Sequence, residues 1–211
     1  VGTFAASSGT ACYLCYQGFM SAAGSQSCSE CPYGQITLDS KQCENCFAGK
    51  QPNNGSVCQS CQPGSFNLNV ADVCKPCPVG KYQNLYSSQN CLDCPIGHFQ
   101  NQMGKPSCLQ CRTGTFSDKT GLVYCSPCPS GQYASGIGEQ SCHSCLAGQE
   151  LISPSSCIDC PAGTFQPVVG GSNCISCYPG EMSFAASARC QGCGVGMFSS
   201  DDHTYCSFCP L

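Results

Sequence analysis

The chain has 211 residues and 26 of them are Cys, a density that marks a disulfide scaffold rather than a globule built on aliphatic packing. Only 9% of residues are charged, with 8 Lys and Arg against 12 Asp and Glu and no Trp, so there is no basic stripe for nucleic-acid phosphates or anionic lipid and little material for one large core. No apolar run is long enough to span a bilayer, which excludes direct membrane insertion by this segment.

The chain opens Val1-Gly2-Thr3-Phe4, and thirteen C-x-x-C pairs follow, from Cys12-Cys15 to Cys206-Cys209, starting 15 to 17 residues apart and taking in every cysteine. Three residues after each of the first twelve pairs stands a Gly: Gly18, Gly34, Gly49, Gly64, Gly80, Gly97, Gly114, Gly131, Gly148, Gly163, Gly180 and Gly196. Two residues further comes an aromatic at Phe66, Tyr82, Phe99, Phe116, Tyr133, Phe165 and Phe198, with Met20, Ile36 and Met182 as apolar substitutes and Gln51 and Glu150 as exceptions. Gly2 and Phe4 fit the same register, and Cys206 to Leu211 stops before the next Gly. A continuous array of about thirteen repeats over residues 1–211 is therefore expected, both ends falling within a repeat and with no boundary inside.

Each repeat is expected to be a turn at the Gly, a short strand carrying the aromatic, a loop rich in Ser, Asn and Gly, and a return to the next Cys. Gly9, Gly24, Gly55, Gly104, Gly121, Gly138 and Gly171 stand three or four residues before a pair and would supply the positive φ of that loop. No segment sustains a 3.6-residue apolar period, so the predicted fold is an elongated array of small disulfide-rich hairpin and loop units with no helix.

Such a density of cysteine means zinc ligands in a reducing compartment or disulfides in an oxidising one. Thirteen pairs do not divide into four-cysteine sites, their even period shows no grouping into fours, and eight Lys and Arg are few to balance a row of dianionic centres. Redox catalysis needs a low-pKa thiol at a helix start, and no helix is expected. His98, His143 and His203 accompany no recurring nucleophile, Asp201-Asp202 lacks the alternating oxygen ligands of a calcium loop, and Gly192, Gly194 and Gly196 fall on the repeat frame without a helix to follow. No catalytic residue, metal or cofactor is expected. Asn54-Gly55-Ser56 is an N-glycosylation sequon in a predicted exposed turn, which makes Asn54 a candidate glycan site.

The unit C-x-x-C-P-x-G-x-[FY], intact at Cys74 to Tyr82, Cys91 to Phe99, Cys125 to Tyr133 and Cys157 to Phe165, resembles the ephrin-receptor-like and tumour-necrosis-factor-receptor-like cysteine-rich repeats, which also form long arrays in surface proteins of protists and algae. Its Pro is present at Pro32, Pro78, Pro95, Pro129, Pro161 and Pro210 and absent elsewhere. The resemblance implies a secreted or cell-surface setting. It also implies that the second Cys of each pair closes onto the first Cys of the next: Cys15 with Cys28, Cys31 with Cys43, Cys46 with Cys58, Cys61 with Cys74, Cys77 with Cys91, Cys94 with Cys108, Cys111 with Cys125, Cys128 with Cys142, Cys145 with Cys157, Cys160 with Cys174, Cys177 with Cys190 and Cys193 with Cys206. Cys12 and Cys209 are then expected to pair outside this sequence. The alternative, first-to-first and second-to-second between neighbouring pairs, stays open.

A disulfide alone does not offset the entropy of ordering its loop, and the aromatic two residues after the Gly is the expected source of packing. The expected function is a structural repeat region of an extracellular fibril, appendage or coat, contacting copies of itself or other fibril proteins, with attached glycans. A ligand-binding receptor ectodomain is the alternative, although no insertion breaks the repeat and only two Arg are present.

Overall fold

A computed structural model describes residues 2–5, 11–37, 39–55, 57–70 and 72–210. Gly9 and Ser56 lie outside the described residues. By its internal contacts the chain divides into two units, one of residues 1–94, 100–109 and 121–123, the other of residues 95–99, 110–120 and 124–211. Each is built of two-stranded antiparallel hairpins, such as Lys81–Tyr82 with Leu92–Asp93 in the first and Thr164–Phe165 with Ile175–Ser176 in the second. No helix forms among the described residues.

Each hairpin starts at its Gly. In Pro78-Val79-Gly80-Lys81 the Lys81 N–H donates to the Pro78 carbonyl at 3.2 Å and Gly80 has φ +79°, the third position of a type II turn, which Gly occupies with least strain. The Cys94 N–H then donates to the Gly80 carbonyl at 2.9 Å and closes the hairpin beside the Cys77–Cys91 bond. Along the returning loop a second positive φ occurs at Gly24, Gly55, Gly104, Gly121 and Gly138, as the sequence implies, but at Gly170 rather than Gly171. Ser87 and Ala186 adopt the same conformation without glycine.

Burial departs from expectation. The aromatics two residues after the Gly are mostly half-buried, and Phe198 is 46% exposed. The enclosed residue is the next one, and it is small or polar: Ser21, Thr37, Asn67, Gln83, Gln100, Ser117, Ala134, Gln166 and Ser183 are all buried. Most of these side chains make hydrogen bonds that an aromatic ring cannot make. Gln100 shows the arrangement: its Nε2 donates to the Ser107 carbonyl at 2.7 Å and its Oε1 accepts the Gln102 N–H at 3.0 Å, so the carboxamide ties the loop across its middle. Gln83 makes the same two bonds with the Asn90 carbonyl and Leu85 N–H, and Gln166 with the Asn173 carbonyl and Val168 N–H.

Replacing Gln100 by Leu keeps the bulk but strands the Ser107 carbonyl and the Gln102 N–H. The loop should lose about 2 kcal/mol, read as faster hydrogen exchange at the Gln102 amide, while the Leu85 amide, tied by Gln83, keeps its rate.

Successive repeats are joined through their backbones. In the second unit the Gly163 N–H donates to the Ser183 carbonyl at 3.0 Å, the Gln166 N–H to the Ser187 carbonyl at 3.1 Å, and the Ala186 N–H returns to the Cys160 carbonyl at 2.8 Å. In the first unit the same three bonds run from Gly64 to Gln83, from Asn67 to Ser88 and from Ser87 to Cys61. None of them depends on side-chain identity, which lets loop sequences vary while the frame persists. What the frame does require is close approach: a Cβ on Gly80 would stand 2.2 Å from the Gly121 carbonyl oxygen.

Candidate functional site

The disulfides are the dominant chemistry. Twelve bonds join the second Cys of one pair to the first Cys of the next, from Cys15–Cys28 to Cys193–Cys206, with Cα atoms 5.5 to 5.8 Å apart. Cys12 and Cys209 are exposed and form no disulfide within this sequence. The two ends of a bond differ in setting. Cys46, Cys77, Cys94, Cys111, Cys145 and Cys160 are fully buried, whereas their partners are half-buried.

The two exceptions to the aromatic rule have a role that the sequence did not disclose. Gln51 and Glu150 lie in the longer hairpins, Lys50–Asn53 with Val57–Ser60 and Gln149–Ser153 with Ser156–Asp159. The Gln51 Oε1 accepts the Cys74 N–H at 3.0 Å and the Glu150 Oε2 accepts the Cys174 N–H at 2.8 Å. Each thereby fastens its hairpin to the disulfide of the following repeat. The only sequence signal was the missing aromatic at the same place in two repeats.

The polar candidates remain apart. His98 Nδ1 lies 3.2 Å from the Ile96 carbonyl, His143 is 3.8 Å from Glu139 and stacks at a tilt near Tyr133, and His203 Nδ1 is 3.2 Å from the Ser199 hydroxyl. Asp202 caps a turn: hydrogen bonds from the Ser200 hydroxyl, then from the Thr204 hydroxyl and N–H, hold its carboxyl below the ordinary aspartate range. The Lys75 ammonium, with the Val73 N–H, does the same for Asp72. Gly192 pairs with Glu181 in a hairpin, and Gly194 with Gly196 belongs to the turn that precedes Met197. Among the described residues no three His, Cys, Asp or Glu converge to hold a metal ion.

Asn54 is exposed at the tip of its hairpin, with φ +51°. Its neighbour Gly55 approaches so near that an added Cβ would meet the Gly18 Cα at 2.8 Å, so the backbone of the turn is packed while the Asn stands outward in solvent.

The loops also expose apolar residues that sequence reasoning passed over. They include Val70, Tyr86 and Met103 in the first unit and Ile137, Val169 and Phe184 in the second, each more than half exposed. Their signal was an apolar residue inside loops otherwise rich in Ser, Asn and Gly.

The family described as tyrosine-protein kinase ephrin type A/B receptor-like matches residues 80–121, 114–156 and 152–183 in tandem. No curated protein matches the chain. Among the described residues no helix is long and apolar enough to cross a membrane. Residues 80–183 thus carry ephrin-receptor-like cysteine-rich repeats, a disulfide-rich module type of extracellular and cell-surface proteins, and the same frame of disulfides and hairpins recurs on either side of them.

Proposed function

We propose that the chain is a structural repeat region of an extracellular fibril, appendage or cell-surface coat, without catalytic activity, and that its partners are copies of itself or other fibril proteins. The observation that carries this reading is the recurrence of one backbone frame whose loops hold exposed apolar residues on a weakly charged surface. A surface repeated at every step favours lateral association through many equal, weak contacts, and low charge removes the repulsion that would oppose it.

The test is association of the purified protein, followed by light scattering and electron micrographs. Laterally associated assemblies are expected, and changing Tyr86 and Val169 together to Asp should weaken association at least about tenfold if each loses roughly 1 kcal/mol of apolar burial, with the disulfide map unchanged. A monodisperse monomer that binds one soluble protein tightly would overturn the reading in favour of a receptor ectodomain. That second reading draws on the longer hairpins around Gln51 and Glu150, which interrupt the regular surface. Asn54 is proposed to carry a glycan, checked by the mass lost on enzymatic removal of N-glycans.

A further inference from the structure

In most repeats the returning loop folds back over the leading Cys of the preceding disulfide, as over Cys111 of Cys111–Cys125. In the second unit the Gly138 N–H donates to the Cys111 carbonyl, the Gly170 N–H to the Cys145 carbonyl and the Ala186 N–H to the Cys160 carbonyl, each at 2.8 Å. All three of these cysteines are fully buried.

Cys128 departs from that arrangement. The segment closed by the next bond, Cys145–Cys157, is the longer hairpin Gln149–Ser153 with Ser156–Asp159, and among the described residues no backbone N–H donates to the Cys128 carbonyl. The hairpin is fastened forward instead, its Glu150 Oε2 accepting the Cys174 N–H. Cys128 is left half-buried, as is its partner Cys142. The first unit repeats the departure. Cys31 and its partner Cys43 are both half-buried, and the hairpin that follows them, Lys50–Asn53 with Val57–Ser60, is fastened forward by Gln51 onto the Cys74 N–H. The other half-buried leading cysteine, Cys193, has no following loop in this sequence.

A disulfide exchanges when a thiolate attacks one sulfur and the other leaves as thiolate. At Cys111–Cys125 the Cys111 sulfur is closed to attack, and a thiolate released there would sit away from water, where the charged form is disfavoured. At Cys128–Cys142 either sulfur can be approached and either can leave into solvent.

We propose that Cys128–Cys142 is a thiol-exchange site, with Cys31–Cys43 as its counterpart in the first unit, and that each takes a small-molecule thiol into a mixed disulfide. The incoming thiolate bonds to one cysteine Sγ, the Cys–Cys bond breaks, and the other cysteine leaves as thiolate and takes a proton from water. A second thiolate attacking the mixed disulfide at the cysteine's partner sulfur releases the remaining cysteine and forms the oxidised dimer of the small thiol, so two thiols supply the two electrons. One repeat in each unit can thus be opened, or carry an attached thiol, while the bonds on either side stay closed.

The experiment treats the unmodified chain, any free thiol blocked beforehand, with graded reduced glutathione, traps it at intervals with N-ethylmaleimide and maps the unreduced peptides by mass spectrometry. Glutathione and maleimide adducts at Cys128, Cys142, Cys31 and Cys43 should appear at least about tenfold faster than at Cys111 and Cys125. The comparison is fair because Cys111–Cys125 and Cys128–Cys142 close loops of the same sequence separation, 14. Opening of Cys111–Cys125 as fast as either proposed site, or opening of every bond together, overturns the proposal.

Discussion

Gly131→Ala should destabilise its unit far more than Gly180→Ala, although both glycines occupy the same place in the repeat and share a positive φ, +77° and +84°. At Gly180 a Cβ would meet nothing within 4 Å, so only the left-handed backbone opposes alanine, about 1 to 2 kcal/mol. At Gly131 the Cβ would stand 1.8 Å from the Gly170 carbonyl oxygen and 2.6 Å from its carbon. The obstacle is backbone, and it is held from behind by the Gly170 N–H donating to the Cys145 carbonyl at 2.8 Å. Relief means separating the loop from the hairpin and breaking that bond, which puts the loss on the order of 4 kcal/mol or more. A repeat array need not unfold in one step, so the measurement is hydrogen exchange at the Gly170 amide rather than a single melting curve. Equal acceleration in the two variants would mean that the close approach carries no weight.

That contrast also shows what the sequence could and could not disclose. The glycine three residues after each pair was legible because nothing else repeats so strictly, and its positive φ follows from the turn. Why the glycine must also lack a side chain was not legible, since the obstructing carbonyl belongs to a loop far along the chain, as Gly170 does for Gly131. The hairpins and the absence of helix were readable from cysteine spacing and loop composition. The packing was not: a Phe or Tyr in a low-aliphatic sequence is the natural choice for a core, yet Tyr82 is half-buried while Gln83 beside it is enclosed. Polar residues in Ser- and Gln-rich loops look solvated until the backbone places a carbonyl and an N–H at either end of the carboxamide.

Changing Cys160 and Cys174 together to Ala should open one repeat and spare the more distant ones. The bond closes a loop of sequence separation 14, worth roughly 3 kcal/mol in unfolded-state entropy. Cys160 is also fully buried, so truncation adds a cavity of about 1 kcal/mol. Against this stand the backbone bonds of the repeat, with Cys160 N–H donating to the Gly148 carbonyl at 2.8 Å, Gly163 to Ser183 at 3.0 Å and Gln166 to Ser187 at 3.1 Å. These bonds are short-range in the array, and each holds only while its own loop stays closed. Loss of the disulfide should therefore remove exchange protection from Gly163, Gln166 and Ala186 and admit proteases between Pro167 and Asn173. The Gly114 N–H, bonded to the Ala134 carbonyl at 2.8 Å in the same unit, should remain protected because no bond of the opened repeat reaches it. Nearest-neighbour coupling predicts this graded loss. Collapse of protection at Gly114 along with Gln166 would instead reveal a unit that folds as a whole, with the disulfides acting on a shared core rather than one loop at a time.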